Sequence, residues 1–216
     1  LQGNFLIDFL RKIFIKQQSK IWEKASKVIV ISESIRDWLE KLNSSIKPTV
    51  IPYGVEVQEV SQKNKLANPT LGYLGKLNKN KGIEDLIDVY TKFQEKENSS
   101  NFELTLLIGG TGSENYIKSL KNKIKDNNVK FLGYVEDRYS FFESIEIFVF
   151  PSYSEGLGLV LLEAMAHGVI CITRDVTPMN SIVDNEENGF LFKDNKELLE
   201  KIEMVLKLNS TEKNKL

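Results

Sequence analysis

The chain has 216 residues, 41% hydrophobic and 27% charged, enough for one sizeable core and part of a second. Its 29 basic and 30 acidic residues leave a formal net charge of −1, which argues against nucleic acid as a partner, because that would need a concentrated basic field. The one cysteine, Cys171, permits no intramolecular disulfide and fits a reducing, cytoplasmic compartment, and no apolar run reaches the roughly 18 residues of a membrane span.

Residues 4–24 carry Phe5, Leu6, Phe9, Leu10, Ile13, Phe14, Ile21 and Trp22 at helical spacing, with Arg11, Lys12, Lys16 and Lys20 between them. The pattern predicts an amphipathic helix whose stripe faces a core. The alternative is a basic face resting peripherally on an anionic membrane. Val28 to Ile31 reads as a strand, and Ser32 or Ser34 as the N-cap of a helix reaching about Leu42. Thr49 to Ile51 is a second short strand, closed by Pro52 and Gly54. The chain begins at Leu1 rather than Met, and these elements leave no room for a full sheet. Residues 1–54 are therefore expected to be the remnant and hinge of a preceding domain, and the polar residues 55–68 a linker.

From residue 69 onward the pattern is a steady alternation. Strands are expected at Thr70–Leu74, Glu103–Ile108, Val129–Leu132, Glu146–Phe150, Val169–Thr173 and Phe190–Phe192. Helices are expected at Ile83–Lys96, Ser113–Asp126, Val135–Ser144, Val160–Ala166 and Lys196–Leu208. Such alternation predicts an α/β, Rossmann-like domain over 69–216, a parallel sheet with helices on both faces. Ligands of such sheets bind beyond the carboxyl ends of the strands.

Three of those ends carry chemistry. Gly75-Lys76-Leu77-Asn78-Lys79-Asn80-Lys81-Gly82 offers ammonium groups before a helix, a diphosphate clamp or else a solvated turn. The P-loop spacing is absent. Gly110 and Gly112 follow the next strand, where glycine admits either a nucleotide or close packing. Pro151 to His167 carries Glu155 and Glu163 around Gly156, Leu157, Gly158, Leu159 and Val160. If the span were mostly helical, the eight-residue step would return both carboxylates to about the same face. The amides at the helix start would welcome an anion. Solvated glutamates on a helix are the plainer alternative. His167, the single histidine, fits a helix C-cap better than a catalytic role, and no ligand cluster for a metal stands out.

These residues resemble the retaining glycosyltransferases of family 4 (group 1), which have the two-Rossmann-domain GT-B fold. The most specific match is the E-x7-E motif, Glu155 to Glu163. Around it stand Tyr73-Leu74-Gly75-Lys76 with Lys81-Gly82, Gly110-x-Gly112, Phe131 to Val135, Phe150-Pro151-Ser152, Ala164 to Gly168 and Asn188 to Leu191. Val28 to Ser32 and Pro52 to Val55 look like the end of the family's first domain and the hinge into its donor domain. The resemblance implies that Lys76 and Lys81 hold the donor diphosphate as it leaves. It implies that Glu155 bonds the transferred sugar, helped by amides from Gly156 to Gly158. Leu159 and Val160 would meet phosphate, Glu163 the ribose hydroxyls, and the loops at Gly110 and Val135 the base.

The resemblance further implies a nucleotide sugar as donor substrate, no cofactor and no metal, and an acceptor that is a glycan, lipid or protein. The sequence departs from the family in having Lys76 where Arg is common, Val169-Ile170 without the usual proline, and Ser181 where Glu is frequent. It also lacks most of the acceptor domain. The alternative reading is a non-catalytic nucleotide-sugar module or one subunit of a split transferase.

Overall fold

The computed structural model describes residues 15, 17–57, 68–97, 103–124 and 126–213. The chain divides after Gly54 into two units, Leu1–Gly54 and Val55–Leu216. In the first, strands β1 (Ile29–Val30) and β2 (Thr49–Val50) pair in parallel around helix α1 (Glu33–Leu42). Ser32, not Ser34, caps α1, its hydroxyl accepting from the Ile35 amide at 3.4 Å. Val30, Leu39 and Ile46 form the buried side of this unit. Residues 17–22 are helical, but most of the amphipathic segment expected at 4–24 lies outside the described residues, as does nearly all of the linker expected at 55–68. Ile21 was expected on the buried stripe and is instead 68% exposed. Ile21 and Trp22 differ by about 100° around a helix, and the inward direction there belongs to Ser19.

The second unit is built on six parallel strands in the order β5-β4-β3-β6-β7-β8. They are β3 (Thr70–Leu74), β4 (Thr105–Gly109), β5 (Val129–Gly133), β6 (Ile147–Phe150), β7 (Ile170–Arg174) and β8 (Phe190–Phe192). The four inner strands are buried at every position, because helices cover both faces. Side chains alternate between two cores. Leu71 and Tyr73 of β3 and Ile147 and Val149 of β6 meet helices α2 (Ile83–Glu97), α3 (Glu114–Lys123) and α6 (Asn195–Lys207). Leu74, Phe148 and Phe150 meet α4 (Arg138–Ser144) and α5 (Leu159–Ala166) on the other face. Gly72 has to be glycine: a Cβ there would lie 2.4 Å from the Ile145 side chain.

Most elements fall within a few residues of their expected bounds. The largest shifts, three residues each, are at the end of α3, expected at Asp126 and observed at Lys123, and at the start of α4, expected at Val135 and observed at Arg138. Asp137 stops α4, its carboxylate accepting from the Ser140 amide at 3.0 Å and fixing the helix start there. A short helix α7 (Ser210–Lys213) extends beyond the expected end at Leu208. Among the described residues no helix is long and apolar enough to cross a membrane.

The strand order decides where a ligand would go. Strands β3, β4 and β5 run outward in one direction, whereas β6 returns to the other side of β3. The order in which strands are added reverses between β3 and β6, and the loops leaving those two strands diverge at a topological switch point.

Candidate functional site

The lysine turn leaves β3 and the Pro151–Gly158 segment leaves β6, so the switch point brings together two stretches more than seventy residues apart in sequence. Their backbones touch. The Tyr153 amide donates to the Asn80 carbonyl at 3.0 Å. Gly82 takes φ +66, and a Cβ there would stand 2.1 Å from the Pro151 carbonyl oxygen, so only glycine closes the turn without strain. The β4 loop packs as closely. A Cβ on Gly110 (φ +134) would meet the Gly75 oxygen at 1.7 Å, and one on Gly112 the Leu77 oxygen at 2.3 Å. The Leu77 amide donates to Thr111 at 2.8 Å, and the Gly110 amide to Gly133 at 2.6 Å. Of the two readings open for Gly110 and Gly112, close loop packing has this direct support. The loops after β3, β4, β5 and β6 are thereby laced into one surface.

Two of the expected side chains meet across the switch point. The Lys81 ammonium donates to the Glu155 carboxylate at 2.6 Å, with side-chain exposures of 24% and 14%. An ammonium has three donors, so this contact leaves Lys81 donors for a second anion. Tyr73, fully buried beneath the turn, gives its hydroxyl to the Lys76 carbonyl at 3.0 Å. Burial, and next the charge of Glu155, push its phenol well above the ordinary tyrosine range, so the hydroxyl remains a donor at any physiological pH. Tyr73 thereby ties the Lys76 backbone to the ground on which Glu155 stands. The Lys76 side chain is exposed.

Glu163 is placed differently. Gly158 (φ +80) begins α5, and residues 155–157 are not helical, so the turn-counting that put both glutamates on one helical face does not apply. Glu163 sits on the fifth residue of α5, and both its oxygens accept from Arg138 Nη1 at 2.8 Å. Lys81 and Arg138 thus take one glutamate each. Leu159 and Val160 open α5, where amides lack a carbonyl one turn back. Leu157 and Gly158 are buried behind them and Gly156 is exposed. Val135 stands over Gly109, where an added Cβ would meet its Cγ2 at 2.8 Å. His167 caps α5. Its Nδ1 must donate to the Glu163 carbonyl, 2.7 Å away, and its buried Nε2 finds no hydrogen-bond partner among the described residues. Among those residues no three His, Cys, Asp or Glu side chains come together as a metal set.

Sequence reading missed two arginines. Arg174 ends β7 and is only 6% exposed. It donates to the Pro151 carbonyl at 3.0 Å, to the Lys193 carbonyl at 3.1 Å and to Asp85 at 2.5 Å, and lies 4.1 Å from the Tyr153 ring centroid. The Tyr153 hydroxyl donates to the same Asp85 oxygen, and this bond, followed by burial, raises its titration. One buried cation therefore holds the elbow that carries Glu155 against the helix that follows Lys81. The available signal was an arginine closing an otherwise apolar run, a position where an unpaired charge is costly. For Arg138 the signal was a cation in the first turn of a helix, where the dipole disfavours it.

Known proteins share this chain's sequence pattern and its fold. The family model described as Glycosyl transferases group 1 matches residues 56–215. The chain is 33% identical over 202 residues to the Staphylococcus aureus "Capsular polysaccharide biosynthesis glycosyltransferase CapM", covering 84% of this chain and 52% of that protein. It is 31% identical over 178 residues to an "Uncharacterized glycosyltransferase" of Haemophilus influenzae, covering 78% and 48%. The chain spans about half the length of the curated relatives it matches. Among solved structures, Anabaena Alr3699/HepE in complex with UDP-glucose superposes with a TM-score of 0.81 at 20% identity, over 94% of this chain and 60% of that one. Staphylococcus aureus TarM, in complex with Fondaparinux, alpha-GlcNAc-glycerol and UDP, gives 0.79 at 22%, over 91% and 40%. The chain belongs to the group 1 glycosyltransferases and carries their α/β, Rossmann-like sheet.

Proposed function

We propose that this chain is the donor-binding part of a glycosyltransferase that moves a sugar from a nucleoside-diphosphate sugar to an acceptor with retention. The reading rests on the Lys81–Glu155 contact at the switch point. A carboxylate suited to sugar hydroxyls and an ammonium suited to diphosphate stand side by side, as a sugar and its diphosphate do in the donor. When the bond from the anomeric carbon to the phosphate oxygen breaks, the electron pair stays with the diphosphate. Lys81, Lys76 and the first amides of α5 would face that growing charge, and groups fixed in advance lower the barrier most. Glu155 would hold the transferred sugar. Glu163 would take the ribose hydroxyls, and the Gly110 and Val135 loops would border the base. No cofactor or metal enters this scheme.

Residues 1–54 would belong to the acceptor-side domain. Their two-stranded parallel sheet leaves Ile29 61% and Ile51 53% exposed, whereas parallel sheets are normally covered on both faces. By likeness to the capsular-polysaccharide relative, the acceptor would be a growing glycan.

The test is a thermal-shift screen against UDP-, GDP- and ADP-sugars. At least one should raise the melting temperature, with a rise that grows with the logarithm of its concentration above Kd, and Lys76→Ala combined with Lys81→Ala should abolish the shift. A shift unchanged in the double variant, or none with any nucleotide sugar, would overturn the reading.

A further inference from the structure

We propose that Arg138 is a positioning residue. It aims the Glu163 carboxylate at a vicinal ribose diol and so makes the site prefer ribonucleotides to 2′-deoxyribonucleotides. This rests on the donor-binding reading above. Helix α4 grips Glu163 from two directions. Through the side chain, Arg138 Nη1 stands 2.8 Å from both carboxylate oxygens, which fixes the rotation of the group. Through the backbone, His167 donates to the Glu163 carbonyl. The His167 ring is itself lodged between Tyr139 and Phe142 of α4, each centroid 5.1 Å away.

Phe141 and Phe142 of α4 and Leu161 and Ala164 of α5 are buried in the same core, so the grip is mounted on rigid elements. A carboxylate offers about four acceptor sites, and one bridging nitrogen leaves room for two hydroxyl donors.

Stability does not account for the pair. Arg138 is 52% and Glu163 25% exposed, and an ion pair this open adds little to the fold. Arg138 is also the first residue of α4, where the helix dipole works against a cation. A cation there, whose acidic partner among the described residues is Glu163, is explained by what it does to that partner. Without it the carboxylate can rotate about its own side chain, and a diol that needs both oxygens at once loses its geometry before a single hydrogen bond does.

The experiment is titration calorimetry of the whole chain with UDP, GDP and ADP and with their 2′-deoxy forms, on the wild type, Arg138→Met, Arg138→Lys and Glu163→Gln. A well-made hydrogen bond to a charged acceptor corresponds to about tenfold in affinity. The wild type should therefore bind one ribonucleotide about tenfold tighter than its deoxy form. Arg138→Met should bring that ratio within about twofold, as Glu163→Gln does, with the melting temperature unchanged. Arg138→Lys should restore part of it. A ratio that survives Arg138→Met overturns this inference and leaves the donor-binding reading standing. A wild type that binds none of the three diphosphates overturns both.

Discussion

Glycine at the strand ends is dictated by neighbouring backbone. At Gly110 an added methyl group would stand 1.7 Å from the Gly75 oxygen, at φ +134, while at Gly133 (φ +70) it would meet nothing within 4 Å. Gly110→Ala is expected to destabilise by about 2–4 kcal/mol, through overpacking and backbone strain. Gly133→Ala should cost only the left-handed penalty of about 1–2 kcal/mol. Urea denaturation midpoints would rank them, and equal losses would show that packing between the loops is not the cause. Arg174 gives the second prediction at this scale. Arg174→Met strips Asp85 of its buried partner and leaves two carbonyls without donors. A loss of about 3–5 kcal/mol in chemical denaturation is expected, as for other broken buried pairs. The Lys81–Glu155 spacing should loosen with it. A loss under about 1 kcal/mol would show that the elbow does not depend on this cation.

The elements are joined by polar hinges that the apolar pattern does not reveal. Asp126 lies between α3 and β5. It accepts from the Tyr90 hydroxyl at 2.8 Å, from Gln94 at 2.9 Å and from the Asn128 amide at 2.8 Å. Burial pushes its carboxyl upward, but the Asn128, Gln94 and Tyr90 bonds outweigh it and leave Asp126 below the ordinary aspartate range. In the window between the lowered value and the ordinary one, near pH 4, the unfolded chain binds more protons than the folded one. Stability therefore rises with pH there. The contribution is full above the ordinary value and is lost as pH falls through the folded one. Asp126→Ala should lower the melting temperature by a few degrees, about 1 kcal/mol or more, at pH 6. The gap from wild type should close toward pH 3. A gap independent of pH would contradict this account.

For the whole molecule, the six-stranded sheet holds both of its cores within Val55–Leu216. Residues 55–216 expressed alone are expected to melt within a few degrees of the full chain and to keep any thermal shift given by a nucleotide sugar. Failure to fold would show that the first unit is required. Because the chain spans about half the length of the curated relatives it matches, we expect the purified chain to transfer little sugar. Rapid transfer in a coupled assay for released nucleoside diphosphate would refute that.

The alternation of β3 to α6 was legible in the sequence because its periods, two and about 3.6 residues, are local properties of the chain. The carboxyl-end loops were legible too, since glycine, proline and lysine interrupt those periods at Gly75, Gly110 and Pro151. Tertiary structure alone decided which loops are neighbours. The inner strands are buried at every position and mostly apolar, so nothing in their composition orders them side by side, and only the observed order sets β3 against β6 and Lys81 against Glu155. The same holds for the two arginines. A paired cation is defined by partners on other elements, and for Arg174 those lie 23, 19 and 89 residues away along the chain.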